Sequence, residues 1–108
     1  VEPPEVIEIV TTVSASEEAD GLAQQAIEQR LAACVQIDGP IKSVYRWHGT
    51  IESAAEFRLC LKTVLDKQEL LVAWLVANHP YEQPEILIRK VDAGRSYAEW
   101  VLRETSDI

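Results

Sequence analysis

Two stretches of alternating side chains, Ala33 to His48 and Thr50 to Leu65, meet at the dipeptide His48-Gly49. A period of two marks half-buried strands, and so short a break between them calls for a tight antiparallel hairpin. Strands usually run to ~5–6 residues, so this hairpin is long for a small sheet. Gly39-Pro40 interrupts its first arm, where a kink or bulge is expected. Any fold for this chain has to be built around that hairpin.

The remaining elements arrange themselves on either side of it. Glu5 to Val13 is rich in Val, Ile and Thr and reads as a first strand. Pro84 to Val91 reads as a fourth, with proline at its first position, where no ladder donor is lost. Ala19, Leu22, Ala23, Ala26, Ile27 and Leu31 recur at helical spacing. A second helix follows the hairpin, and a third runs from Tyr97 to about Glu104. Ser14 with Glu17, Asp66 with Glu69, and Ser96 with Glu99 have the spacing of capping boxes at the three helix starts. Gly21 inside the first helix is either a cost of under ~1 kcal/mol or a mark of close packing. The order β-α-β-β-α-β-α predicts an α+β, ferredoxin-like (split βαβ) antiparallel sheet with an added C-terminal helix. At 108 residues the chain makes one domain, 1–108.

Alternation also points to a partner. Phe57, Leu59, Leu61 and Leu65 share one face of the third strand and should lie under the helices. The other face, with Arg58, Cys60, Lys62 and Val64, is too mixed for a core and too apolar for plain solvent. Tyr45, Trp47, Ile51 and Phe57 load the hairpin with apolar area that one small domain does not cover. Two sheet edges stay open as well. An oligomer is expected, with Tyr45, Trp47, Phe57 and Trp100 at its interface.

Eighteen acidic against ten basic residues give a net charge of −8, which disfavours nucleic acid and anionic membranes as partners. The longest apolar run, Leu70 to Ala77, is far shorter than the ~20 residues a membrane span needs. Val1-Glu2-Pro3-Pro4 lacks the pattern of a signal peptide, and two cysteines make no disulfide scaffold, so a reducing cytoplasm is the expected compartment. With a two-residue turn Cys34 falls opposite Thr63, out of bonding reach of Cys60 unless a bulge shifts the register. A Cys-x-x-Cys metallochaperone loop, a phosphate-holding arginine and base-stacking aromatics in strands one and three are all missing.

The densest polar run is His79-Pro80-Tyr81-Glu82-Gln83-Pro84-Glu85. Imidazole with carboxylates suits a borderline divalent ion such as copper or zinc. Equally, His79 ends a helix, where it stabilises terminal carbonyls. Lys62, mid-strand among apolar neighbours, needs a partner or a cleft. Cys34 reads either as a small buried hydrophobe or as a ligand.

Several segments together resemble the CutA family of divalent-cation tolerance proteins. They are Arg30-Leu31-Ala32-Ala33-Cys34-Val35, Ser43-Val44-Tyr45-Arg46-Trp47-x-Gly49, Lys62-Thr63, His79-Pro80-Tyr81-Glu82-x-Pro84-Glu85-Ile86 and Tyr97-x-x-Trp100, spread over nearly the whole chain. Gln36, His48 and Thr50 depart from the residues usual in the family. The resemblance implies a cytoplasmic homotrimer of PII-like architecture, tolerance of copper and other divalent cations, and no established enzymatic activity. It implies metal ligation by His79, Cys34 and Glu85, with Cu²⁺ or a similar ion weakly bound and no obligatory cofactor. Lys62, Tyr81, Glu82 and Trp47 would line a cleft between subunits. The alternative is a PII-like signal-transduction or scaffold trimer whose clefts take a small ligand or a partner protein.

Overall fold

The computed structural model describes residues 2–107. Strand β1 (Val6–Val13) leads into helix α1 (Ser16–Glu28), and the hairpin follows as β2 (Cys34–Trp47) and β3 (Thr50–Val64). A 3₁₀ turn (Leu65–Lys67) precedes α2 (Gln68–Asn78), and β4 (Leu87–Val91) and α3 (Arg95–Glu104) close the described chain. The strands form one antiparallel sheet in the order β2-β3-β1-β4, the expected ferredoxin-like arrangement.

Strand alternation divides the molecule into layers. Ile7, Ile9, Val13, Leu59 and Leu61 point to one face and pack against Ala19, Leu22 and Ala26 of α1 and Leu71 and Leu75 of α2. On the opposite face Val6 and Val64 are sealed by Ala98 and Val101 of α3. The added C-terminal helix therefore covers one end of the second face and leaves the rest to polar residues.

The hairpin turn carries positive φ at both His48 and Gly49, as a two-residue turn between twisted strands requires, and Trp47 pairs with Thr50. β1 stops pairing with β3 at Val13↔Phe57, so the outer hairpin is held only by its own two arms. It draws the molecule out to 51 × 24 × 22 Å. The bulge falls where Gly39-Pro40 predicted it, between Asp38↔Arg58 and Ile41↔Glu56. A Cβ on Gly39 would stand 2.7 Å from a ring carbon of Phe57, so only glycine fits there. The bulge shifts the inner register by one residue. Cys34 accordingly lies opposite Lys62 rather than Thr63, and both cysteines are free.

Other boundaries need correction. None of the three predicted capping pairs caps its helix, because each helix begins a residue or two from where the Ser or Asp stands. The N-caps are Ala15, Lys67 and Gly94, without side-chain caps. The Ser14 hydroxyl donates to Glu18 instead, and Asp66 sits within the 3₁₀ turn. That turn also carries Leu65 off the core face, leaving it 49 % exposed. β4 starts at Leu87 rather than Pro84, since its pairing with β1 begins only at Val10↔Leu87. No atom lies within 4 Å of a Cβ built on Gly21, which removes the close-packing reading. No helix among the described residues is long and apolar enough to cross a membrane.

Candidate functional site

The shortness of β4 leaves the end of β1 without a strand partner on that side. The segment from His79 to Ile86 runs there instead. His79 terminates α2, and the Tyr81 backbone N–H donates to its Nδ1 at 3.1 Å. With Nδ1 accepting, the ring proton lies on Nε2, which donates to Thr11 Oγ1 at 2.9 Å. Burial depresses the His79 pKa, outweighing the contacts with Thr12 and the nearby Glu18 and Glu56 that favour the charged ring. The imidazole is thus neutral near pH ~7, with both nitrogens engaged.

Two residues on, the Tyr81 hydroxyl donates to Glu56 at 2.6 Å. Glu56 is the first residue of β3 beyond its pairing with β1. Burial pushes its carboxyl up, but hydrogen bonds from Ser43, Tyr81 and Thr12 overcome that, and its pKa lies below the ordinary 4.5. The same burial and the adjacent carboxylate raise the Tyr81 pKa. Between this bond, the hairpin arm and the Pro80–Glu85 segment opens a cleft of about 730 Å³. Tyr45, Trp47, Glu82 and Glu85 line it beside Glu56 and Tyr81.

A second polar group occupies the other end of the same sheet face. Lys62 donates to Glu8 at 2.6 Å and Arg89 to its other oxygen, also at 2.6 Å. The hydrogen bond from Lys62 outweighs burial and, with Cys60 and Arg89, holds the Glu8 carboxyl down to about 2. Desolvation disfavours the charged Lys62 amine, but the bond to Glu8 together with the charges of Cys60, Glu8 and Tyr97 outweighs it, and its pKa rises in turn. Burial and Glu8 push the Cys60 thiol up, and burial with Cys34 raises Tyr97. The Cys60 thiol is protonated and unreactive near neutral pH.

The expected site residues are therefore divided. Tyr81, Glu82, Glu85 and Trp47 meet at the cleft, and His79 stands behind it, its ring 5.0 Å from that of Tyr81. Lys62, expected to line a cleft between subunits, is not among the residues around this one and is paired with Glu8 across the strands. Cys34 sits opposite Lys62 and away from His79 and Glu85. No three His, Cys, Asp or Glu side chains converge to hold a metal among the described residues. Of the residues expected at an interface, Phe57 and Trp100 are half-covered by this chain's own two cores. Tyr45 and Trp47 remain exposed. Glu8 and Glu56 were not anticipated. A lone acid in the apolar run of β1 facing a lone Lys in β3 was a signal for the first, whereas nothing in Ala54-Ala55-Glu56-Phe57 announced the second.

A sequence profile of the CutA1 divalent ion tolerance protein family matches residues 7–104. The chain belongs to that family. The divalent-cation tolerance protein CutA of Salmonella newport is 32 % identical over 99 residues, 91 % of this chain and 86 % of that protein. The structure of CutA from Synechococcus elongatus matches with a TM-score of 0.91 at 39 % identity, covering 98 % of this chain and 95 % of that one. A second structure of that CutA is complexed with a Bis-Tris molecule (TM-score 0.85, 38 % identity, 98 % of both chains). The periplasmic divalent cation tolerance protein CutA from Archaeoglobus fulgidus matches with a TM-score of 0.88 at 33 % identity, over 94 % of this chain and 99 % of the other. The CutA1 family is one of divalent-cation tolerance proteins and not a recognised enzyme family.

Proposed function

We infer that this chain serves cation tolerance as a cytoplasmic homotrimer that binds Cu²⁺ or a similar divalent ion weakly and carries out no catalysis. The observation behind this reading is the match to the CutA1 family, with His79 behind the cleft and its ring 5.0 Å from that of Tyr81, which donates to Glu56. The geometry supports weak rather than tight binding. An ion taking Nδ1 displaces the Tyr81 N–H, and one taking Nε2 displaces the proton given to Thr11. Either exchange gives up a hydrogen bond worth about 1 kcal/mol. Cys34 would reach such an ion only from a neighbouring subunit. Trimer formation is supported by the open β2 and β4 edges and by Val44 and Ile51, 65 % and 68 % exposed on the hairpin. The two free cysteines suit a reducing compartment.

Calorimetric titration of chelator-treated protein with Cu²⁺ near neutral pH, beside His79→Ala, tests the metal reading. Saturable binding near one ion per chain, lost in the variant, is the expected result. Because burial keeps the ring neutral, binding persists somewhat below pH ~6.5 before protonation abolishes it. Flat heats for both proteins would sink direct coordination. Light scattering across a concentration series checks the trimer.

The second reading is a PII-like signalling trimer whose clefts take a small ligand. Two observations favour it: both His79 nitrogens are already engaged, and the cleft has the volume of a small-molecule site. The Bis-Tris complex of the Synechococcus relative agrees with it. Ligand binding that persists in chelator would separate it from the first.

A further inference from the structure

The cleft carries one sign of charge. Glu56, Glu82 and Glu85 line it with Tyr45, Trp47 and Tyr81, and no Lys, Arg or His borders it. None of the three carboxylates forms an ion pair among the described residues. Glu56 is 8 % exposed, and its partners Tyr81, Ser43 and Thr12 are neutral hydroxyls. Such donors hold a carboxylate in its ionised form without cancelling its charge. The aromatic walls add electron-rich ring faces, which attract a cation.

We propose that this cleft binds a small organic cation, an ammonium group on a compact alkyl or hydroxylated body, with the charge towards Glu56 and the body against Tyr45 and Tyr81. The assignment rests on the small-ligand reading and names the ligand's chemistry. A bare divalent ion fits the cleft less well, because it needs several oxygen donors within ~2.0–2.6 Å of one point. No such group converges among the described residues. An organic cation spans several ångströms, so acids spaced around an aromatic wall suit it. The same field repels phosphates and carboxylates, and Lys62, the cation that would have welcomed them, is bound to Glu8 elsewhere.

Calorimetric titration of the full chain at low salt tests this with three probes: choline, its uncharged isostere 3,3-dimethylbutan-1-ol, and succinate. Choline binds saturably, and the other two bind at least about 10-fold more weakly. Glu56→Gln and Tyr45→Leu each weaken choline binding by about 10-fold. Should melting curves show that the Glu56 variant is unfolded, Glu85→Gln on the exposed wall replaces it, with a smaller loss. Isostere or succinate binding as tightly as choline would overturn the cationic class and leave a small-ligand cleft standing. Choline binding that is unchanged in the folded variants would also overturn the proposal. Heat from none of the three would overturn the cationic proposal and leave the small-ligand reading to its own test in chelator.

Discussion

Glu8 and Glu56 stand on the same face of the sheet, both largely shielded from water, and they are held in opposite ways. Glu8 lies between two cations, Lys62 and Arg89, each at 2.6 Å, so its charge is cancelled where it sits. Glu56 is surrounded by hydroxyls, which stabilise the ionised form and leave the charge in place. Closing a charge on itself builds structure, while leaving one open towards a cavity keeps it available to something else. The contrast separates an internal clamp from a candidate binding group, although both are glutamates of one sheet face with little exposure.

The largest expected effect comes from breaking the clamp. Glu8→Gln leaves Lys62, whose side chain is 16 % exposed, without its counter-charge. The expected loss is about 3 kcal/mol, read as a lowered melting temperature at fixed protein concentration. Adding Lys62→Met should return most of it, because the cost lies in the stranded charge. A small loss in the single variant would show that the pair is solvent-screened and the contrast false.

The acid limb of stability sharpens the same point. The Glu8 pKa is about 2 in the fold against an ordinary 4.5, so its contribution is complete above 4.5 and is lost as pH falls towards 2. Denaturant titrations across that window should steepen for the native chain and flatten for Glu8→Gln. His79, also depressed, loses its contribution at higher pH, as the pH drops below its ordinary 6.5.

Tyr81→Phe probes the other carboxylate. Glu56 keeps Ser43 and Thr12, so the cost should be about 1.5 kcal/mol, half that of the Glu8 variant. A cost equal to the Glu8 loss would make Tyr81–Glu56 a second structural clamp. The smallest effect has the opposite sign. Gly21→Ala fills open space in α1 and should stabilise by about 0.5–1 kcal/mol in the same denaturant titration.

Much of the fold was legible because alternation and turn chemistry are local. His48-Gly49 dictated the turn and Gly39-Pro40 the bulge, and Leu59 and Leu61 marked the buried face of β3. Helix starts were less legible. Ser14, Asp66 and Ser96 have good capping chemistry, but where β1 and the 3₁₀ turn release the chain decides whether it is used. The candidate site was half legible for a related reason. His79 to Glu85 is contiguous and declared itself, whereas Lys62 finds its carboxylate only when β1 pairs with β3, a contact 54 residues apart in sequence. Glu56 gave no signal, since its burial depends on a tyrosine arriving from a distant loop.

The bulge at Gly39-Pro40 also acts as a phase shift in the hairpin. Before it, even-numbered residues of β2 share a face with Lys62; after it, odd-numbered residues share the face with Glu56. Ser43, Tyr45 and Trp47 are thereby turned to the cleft. In the unshifted phase Lys42 and Arg46 would stand in their place, and an aromatic wall would become a basic one. One inserted residue, accommodated as a bulge, thus determines which of two chemistries a single stretch of sequence displays.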